Sequence, residues 1–166
     1  MNAPPAAAFP SAEAADLAAR LVTRFTADGR TLATAESLTG GLLGATVTAI
    51  PGASAVYRGG LITYATDVKD SLGQVPPDIL RSHGAVSEPT VRHLAAAARA
   101  QCGADVGIAL SGVAGPTDQE GHPPGTVWLG WSAVHPGAEL LHLPAPDRAR
   151  VRARAVVAAL TRLLDL

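Results

Sequence analysis

From Ser11 to Asp28, Ala15, Leu17, Ala18, Leu21, Val22 and Phe25 recur at the three-to-four-residue spacing of one helical face. Ser11 suits the cap of that helix and Gly29 its stop. Residues 31–37 (TLATAES) read as a short strand that runs through Leu38-Thr39-Gly40-Gly41 into a helix over 42–50, closed by Pro51-Gly52. A second strand is predicted over 57–66, with Gly59 and Gly60 marking a bulge or a close backbone approach. A helical turn over 67–72 follows, and then a short segment opened by Pro76-Pro77 and closed by Gly84. Ser87-Glu88-Pro89 caps an alanine-rich helix over 90–102, after which the apolar run 106–110 reads as a buried strand entering the glycine-rich loop 111–116. Residues 117–124 are polar and flexible by composition. Residues 125–134 and 138–143 flank His135-Pro136-Gly137 as a hairpin, and a last helix spans 147–164. Strands alternating with helices before a late hairpin predict an α/β fold, a three-layer α/β/α sandwich with a mixed sheet.

The 166 residues carry no fixed-period repeat and no linker that would divide two cores, so residues 11–166 are expected to form one domain behind a disordered leader over 1–10. That leader lacks the positive segment and apolar run of a secretory signal, and no apolar stretch is long enough to span a bilayer. A soluble, cytoplasmic protein is expected, in keeping with the single cysteine, Cys102. Thirteen Lys+Arg against 14 Asp+Glu, a net charge of −1, argue against a chain whose main partner is nucleic acid or an anionic membrane. Twelve of those 13 cations are Arg, and Lys69 is the exception. A coding bias toward Arg explains the twelve. It leaves open whether Lys69 stands by chance or where the side chain must give up its proton, which Arg does not do.

Three stretches place small polar residues at element ends: 36–41, 51–54 and 111–116. In the first, Ser37 and Thr39 precede a helix, where they either cap it or help hold an anion such as phosphate. The second leads to Ser54, Tyr64 and Lys69. A serine needs a base to become a nucleophile, and a desolvated neutral lysine supplies one without histidine, while a tyrosine hydroxyl can relay a proton. The plain alternatives are a turn serine and a strand aromatic. Arg148, at the start of the last helix, can grip a phosphate with two N–H groups or lie in solvent. No Walker A or GxGxxG pattern occurs, and the five histidines lack ligand spacing, so no metal is expected.

The strings Thr34-Ala35-Glu36-Ser37-Leu38-Thr39-Gly40-Gly41, GLITY over 60–64 with Lys69, HGAVS over 83–87, SGVAGP over 111–116 and PGTVW over 124–128 come in the order found in the CinA C-terminal domain family, which the chain resembles. Members of that family include nicotinamide-nucleotide amidohydrolases, which convert nicotinamide mononucleotide to nicotinate mononucleotide and ammonia in pyridine-nucleotide salvage. The resemblance implies that activity without metal or redox cofactor, with a small nucleotide as substrate; separately, the apolar faces of the hairpin and the last helix suit a homodimer. The resemblance assigns Ser54 as nucleophile, Lys69 as base and Tyr64 as assisting hydroxyl. It also places Ser37, Thr39, Gly40, Gly41, Ser111 and Gly112 around the nucleotide, with Arg148 on its phosphate. The chain departs from the commonest family pattern at Leu38, where cysteine is frequent, and at Thr66, where asparagine often stands, leaving Lys69 to be oriented by other groups. The alternative is a nucleotide- or partner-binding module that keeps the pocket without the chemistry.

Overall fold

The computed structural model describes residues 9–143 and 147–166. Most of the leader, residues 1–8, lies outside them. Six helices and five strands follow in the order α1 (Ala12–Asp28), β1 (Leu32–Glu36), α2 (Leu42–Thr48), β2 (Tyr57–Ile62), α3 (Thr66–Ser71), α4 (Pro77–His83), α5 (Glu88–Cys102), β3 (Val106–Gly112), β4 (Thr126–Ser132), β5 (Gly137–His142) and α6 (Arg148–Asp165). A 3-10 turn, Ala53–Ala55, precedes β2. The caps read from sequence at Ser11 and Ser87 are in place, and Asp147, read only as the start of the last helix, is its cap. Ser11 accepts from the Ala14 N–H, Ser87 from the Thr90 N–H, and Asp147 from the Arg150 N–H.

The sheet runs β2-β1-β3-β4-β5, with β1 parallel to both neighbours and the β3-β4-β5 pairs antiparallel. Every residue of β1 is buried, as expected for a central parallel strand covered on both faces. On one face Leu21 and Phe25 of α1, Leu43 of α2 and Leu160 and Leu163 of α6 pack against Leu32, Ile108 and Leu110. On the other, Val91, Leu94, Ala95 and Ala98 of α5 lie on Ala33, Ala35 and Ala109. Those strand residues are small, and a Cβ at Gly107 or Gly130 would overlap the Ala95 or Val91 carbonyl, so α5 sits close to the sheet. The mixed three-layer sandwich read from the sequence is the observed fold.

This topology brings the C-terminal ends of β1 and β2 together, with Glu36 opposite Ile62, and β3 ends beside them at Gly112. Loops leaving parallel strands at that end form the natural ligand crevice of an α/β sheet. Among the described residues no helix is long and apolar enough to cross a membrane.

Candidate functional site

Glu36 shapes the first loop at this end. Its carboxylate is fully buried and accepts the N–H groups of Gly41 and Leu43 at 3.0 Å and of Gly44 at 2.8 Å, which are the free donors at the start of α2. The Thr34 hydroxyl donates to it at 3.3 Å and lies 2.8 Å from the Tyr57 hydroxyl. Gly41 turns into α2 with φ 96°, a left-handed conformation that glycine adopts without strain. From α6, Arg152 donates to the Leu38 carbonyl at 3.0 Å and to the Thr39 carbonyl at 2.8 Å. The Ser37-to-Gly41 loop is therefore held at both ends. Of the two alternatives read for Ser37 and Thr39, neither a side-chain cap nor a phosphate fills the start of α2, because its free N–H groups are taken by the protein's own Glu36.

Ser37, 7% exposed, follows Glu36 directly, and Lys69 on α3 reaches it. The amine is 2% exposed and lies 3.0 Å from Ser37 Oγ, 2.8 Å from the Thr63 carbonyl and 3.3 Å from the Tyr64 carbonyl. Burial pulls its pKa from 10.5 down to about 8, while the negative charge of Glu120 opposes that shift. The two carbonyls can only accept, so they take two N–H bonds of the amine. The third direction points at Ser37 Oγ. When Lys69 is neutral, its lone pair lies there and accepts the serine proton. These two carbonyls also supply the orientation that the Thr66 departure left to other groups.

The expected pairing of Lys69 with Ser54 is corrected by this geometry. Ser54 is exposed in the 3-10 turn before β2 and borders a separate depression with Thr48, Ile50 and Tyr57. Ser37 follows the end of β1, whereas Ser54 precedes the start of β2, roughly 16 Å away along a six-residue strand. The serine at the lysine is Ser37, which the sequence reading had placed on the substrate side.

Ser37 opens into a cavity of about 360 Å³, bordered also by Tyr64, Ala114, Gly115, Asp118 and Arg148. Tyr64 is 58% exposed, and its hydroxyl accepts from Arg148 at 2.6 Å; what reaches Lys69 is its carbonyl. Arg148 donates its other bond to the Gly115 carbonyl at 2.8 Å. Both acceptors are neutral, so among the described residues the guanidinium at the cavity wall has no carboxylate partner. Gly112 borders the cavity, but Ser111 does not: it is buried and donates to the Ala85 carbonyl at 2.6 Å. Thr39, Gly40 and Gly41 build the loop behind Ser37 and do not line the cavity either. The N–H of Ser37 is committed to the Leu110 carbonyl at 3.0 Å, whereas those of Ala114 and Gly115 have no acceptor among the described residues. No group of three or more His, Cys, Asp or Glu side chains arranged to hold a metal occurs among the described residues.

Sequence reasoning missed the roles of Glu36 and Arg152, and took Glu120 only as part of a 118–120 loop bearing on access to the pocket. The one signal Glu36 offered was a carboxylate four residues before the Gly40-Gly41 helix start. The arginines of α6 carried no such signal.

Residues 14–166 match the model of the CinA C-terminal domain. A CinA-like protein of Frankia casuarinae is 47% identical over 131 residues, covering 78% of this chain and 30% of that protein. A Limosilactobacillus fermentum relative named as competence-damage inducible is 44% identical over 142 residues, covering 84% of this chain and 34% of its own. The chain thus spans about a third of the length of these curated relatives. Among solved structures, the competence/damage inducible protein CihA of Agrobacterium tumefaciens superposes with a TM-score of 0.90 at 33% identity, covering 96% of this chain and 98% of that one. The competence damage-inducible protein ComA of Klebsiella pneumoniae does so with a TM-score of 0.88 at 37% identity, covering 92% and 95%.

Proposed function

We propose, from the premise that the chain belongs to the CinA C-terminal domain family, that it is a serine amidohydrolase with Ser37 as nucleophile and Lys69 as base, hydrolysing the carboxamide of nicotinamide mononucleotide. One observation carries this reading. The sole lysine of the chain is buried 3.0 Å from a serine on a cavity wall, with two carbonyls fixing its remaining donors.

Neutral Lys69 accepts the Ser37 proton as Oγ attacks the carboxamide carbon. The N–H groups of Ala114 and Gly115, two residues of the cavity wall whose N–H groups have no acceptor among the described residues, stabilise the oxyanion. Protonated Lys69 gives its proton to the departing nitrogen, which leaves as ammonia. Ser37 then carries a nicotinate-mononucleotide ester, and water activated by the regenerated amine hydrolyses it. Arg148, on the same wall without an anionic partner, receives the substrate phosphate. Tyr64 helps to hold the guanidinium in place through its hydroxyl.

Ammonia release from nicotinamide mononucleotide in the presence of a chelator tests this. Wild type and Ser54→Ala are expected to turn over alike, while Ser37→Ala and Lys69→Arg lose roughly a thousandfold or more in rate. Loss of turnover in Ser54→Ala with retention in Ser37→Ala would reverse the assignment. A nucleotide that binds without ammonia release by the wild type would favour the binding-module alternative.

A further inference from the structure

The polar segment after Pro116 is a built element. The N–H of Gln119 donates to the His122 carbonyl at 3.1 Å, and the N–H of His122 returns a bond to the Gln119 carbonyl at 2.9 Å. Glu120 and Gly121 form the two-residue tip, with φ 53° and 78°. Gly121 adopts that conformation freely, but a glutamate in the left-handed region is strained where Asn, Asp or Gly is preferred. Turn chemistry therefore does not account for Glu120. Its side chain does: Oε1 accepts the Ala85 N–H and Oε2 the Val86 N–H, each at 3.1 Å.

The receiving turn is prepared for that carboxylate. A Cβ at Gly84, whose φ is 80°, would overlap Glu120 Oε2. The Gly84 carbonyl accepts from the Thr90 and Ser87 hydroxyls at 2.7 and 3.0 Å, and the Ala85 carbonyl from Ser111 at 2.6 Å. The turn is thus tied to α5 and to the end of β3. At the other end of the loop, Arg148 holds the Gly115 carbonyl. Between these two fastenings, Thr117, Asp118 and Gln119 line the same cavity as Ser37.

We infer that Glu120 is a positioning residue of this site, an inference that rests on the amidohydrolase reading and deepens it: its carboxylate latches the 119–122 hairpin to the 84–86 turn and thereby sets the cavity wall that faces bound substrate. It acts on Lys69 as well. The negative charge of Glu120 favours the protonated amine, against the effect of burial, while Asp118 lies on the shared cavity wall. Asp67 and Asp70 of the lysine's own helix are exposed, Glu36 of β1 is turned toward α2, and Arg148 of α6 is engaged by Tyr64 and Gly115. Removing the Glu120 charge makes neutral Lys69 available at lower pH.

The test uses Glu120→Asp, which favours the left-handed backbone and keeps the charge but is one methylene too short, and Glu120→Gln, which keeps the length and loses the charge. Both are expected to raise KM for nicotinamide mononucleotide at least tenfold and to speed hydrogen exchange at the Ala85 and Val86 amides at least tenfold. Glu120→Gln alone should also move the acid limb of the kcat/KM profile to lower pH. Wild-type exchange at both amides in either variant, or faster exchange with unchanged KM, overturns the latch. If the wild type itself releases no ammonia, the amidohydrolase reading fails separately, and the latch stands or falls on the exchange rates.

Discussion

Replacing Lys69 with Met removes the titrating amine while keeping a chain of similar length in the same site. In the folded protein burial holds the amine at about 8; in the unfolded chain it returns to 10.5. Between those values the unfolded state binds the proton and the folded state does not, so stability rises with pH across this window. Below pH 8 both states are protonated and the group contributes no slope. A gain of about 1.4 kcal/mol per pH unit from about 8 to 10.5, less about 0.4 kcal/mol because the unfolded amine is already half titrated at 10.5, gives the wild type about 3 kcal/mol relative to Lys69→Met between pH 7 and 10.5. Other titrating groups cancel in the difference. Urea unfolding of both proteins at half-unit steps from pH 7 to 10.5 measures it. A difference that stays flat across that range would mean that the folded amine keeps its proton to its ordinary pKa. It could then not serve as the base at neutral pH.

Three further outcomes follow from the same geometry. Glu36→Gln replaces a carboxylate that accepts three N–H groups with an amide whose NH2 must face one of them; chemical denaturation should show a loss of about 2–3 kcal/mol, with turnover falling because the Ser37 loop loosens. Arg148→Met should raise KM for the mononucleotide roughly 10- to 100-fold with a smaller change in kcat, and should leave the KM of a carboxamide lacking the phosphate nearly unchanged. The proposed mechanism makes neutral Lys69 the active form, so kcat/KM should climb with pH along an acid limb near 8; a profile already flat at pH 6 would contradict the role of Lys69.

The sandwich was legible because its signals are local. Caps at Ser11 and Ser87, the glycine stop at Gly29, and the apolar run leading into β3 each depend on neighbours a few residues apart. Lys69 was legible for a different reason, its isolation among twelve arginines. Its partner was not. Ser54 is nearer along the chain, but the crossover between β1 and β2 carries it to the opposite end of the strands, while the parallel register puts Glu36 beside Ile62 and so Ser37 beside Lys69. Glu36 and Glu120 went unread because a carboxylate that binds backbone N–H groups 5 to 8 or 34 to 35 residues away leaves no periodic trace in the sequence.

The most direct test of the proposed function is to quench a mixture of the protein and nicotinamide mononucleotide in acid and look for the acyl adduct by mass spectrometry. Tryptic cleavage at Arg30 and Arg58 leaves both candidate serines on one peptide, so fragment ions decide between them. The account predicts a nicotinate-mononucleotide ester on Ser37, absent from Ser37→Ala. An ester on Ser54, or steady ammonia release by Ser37→Ala, would contradict it.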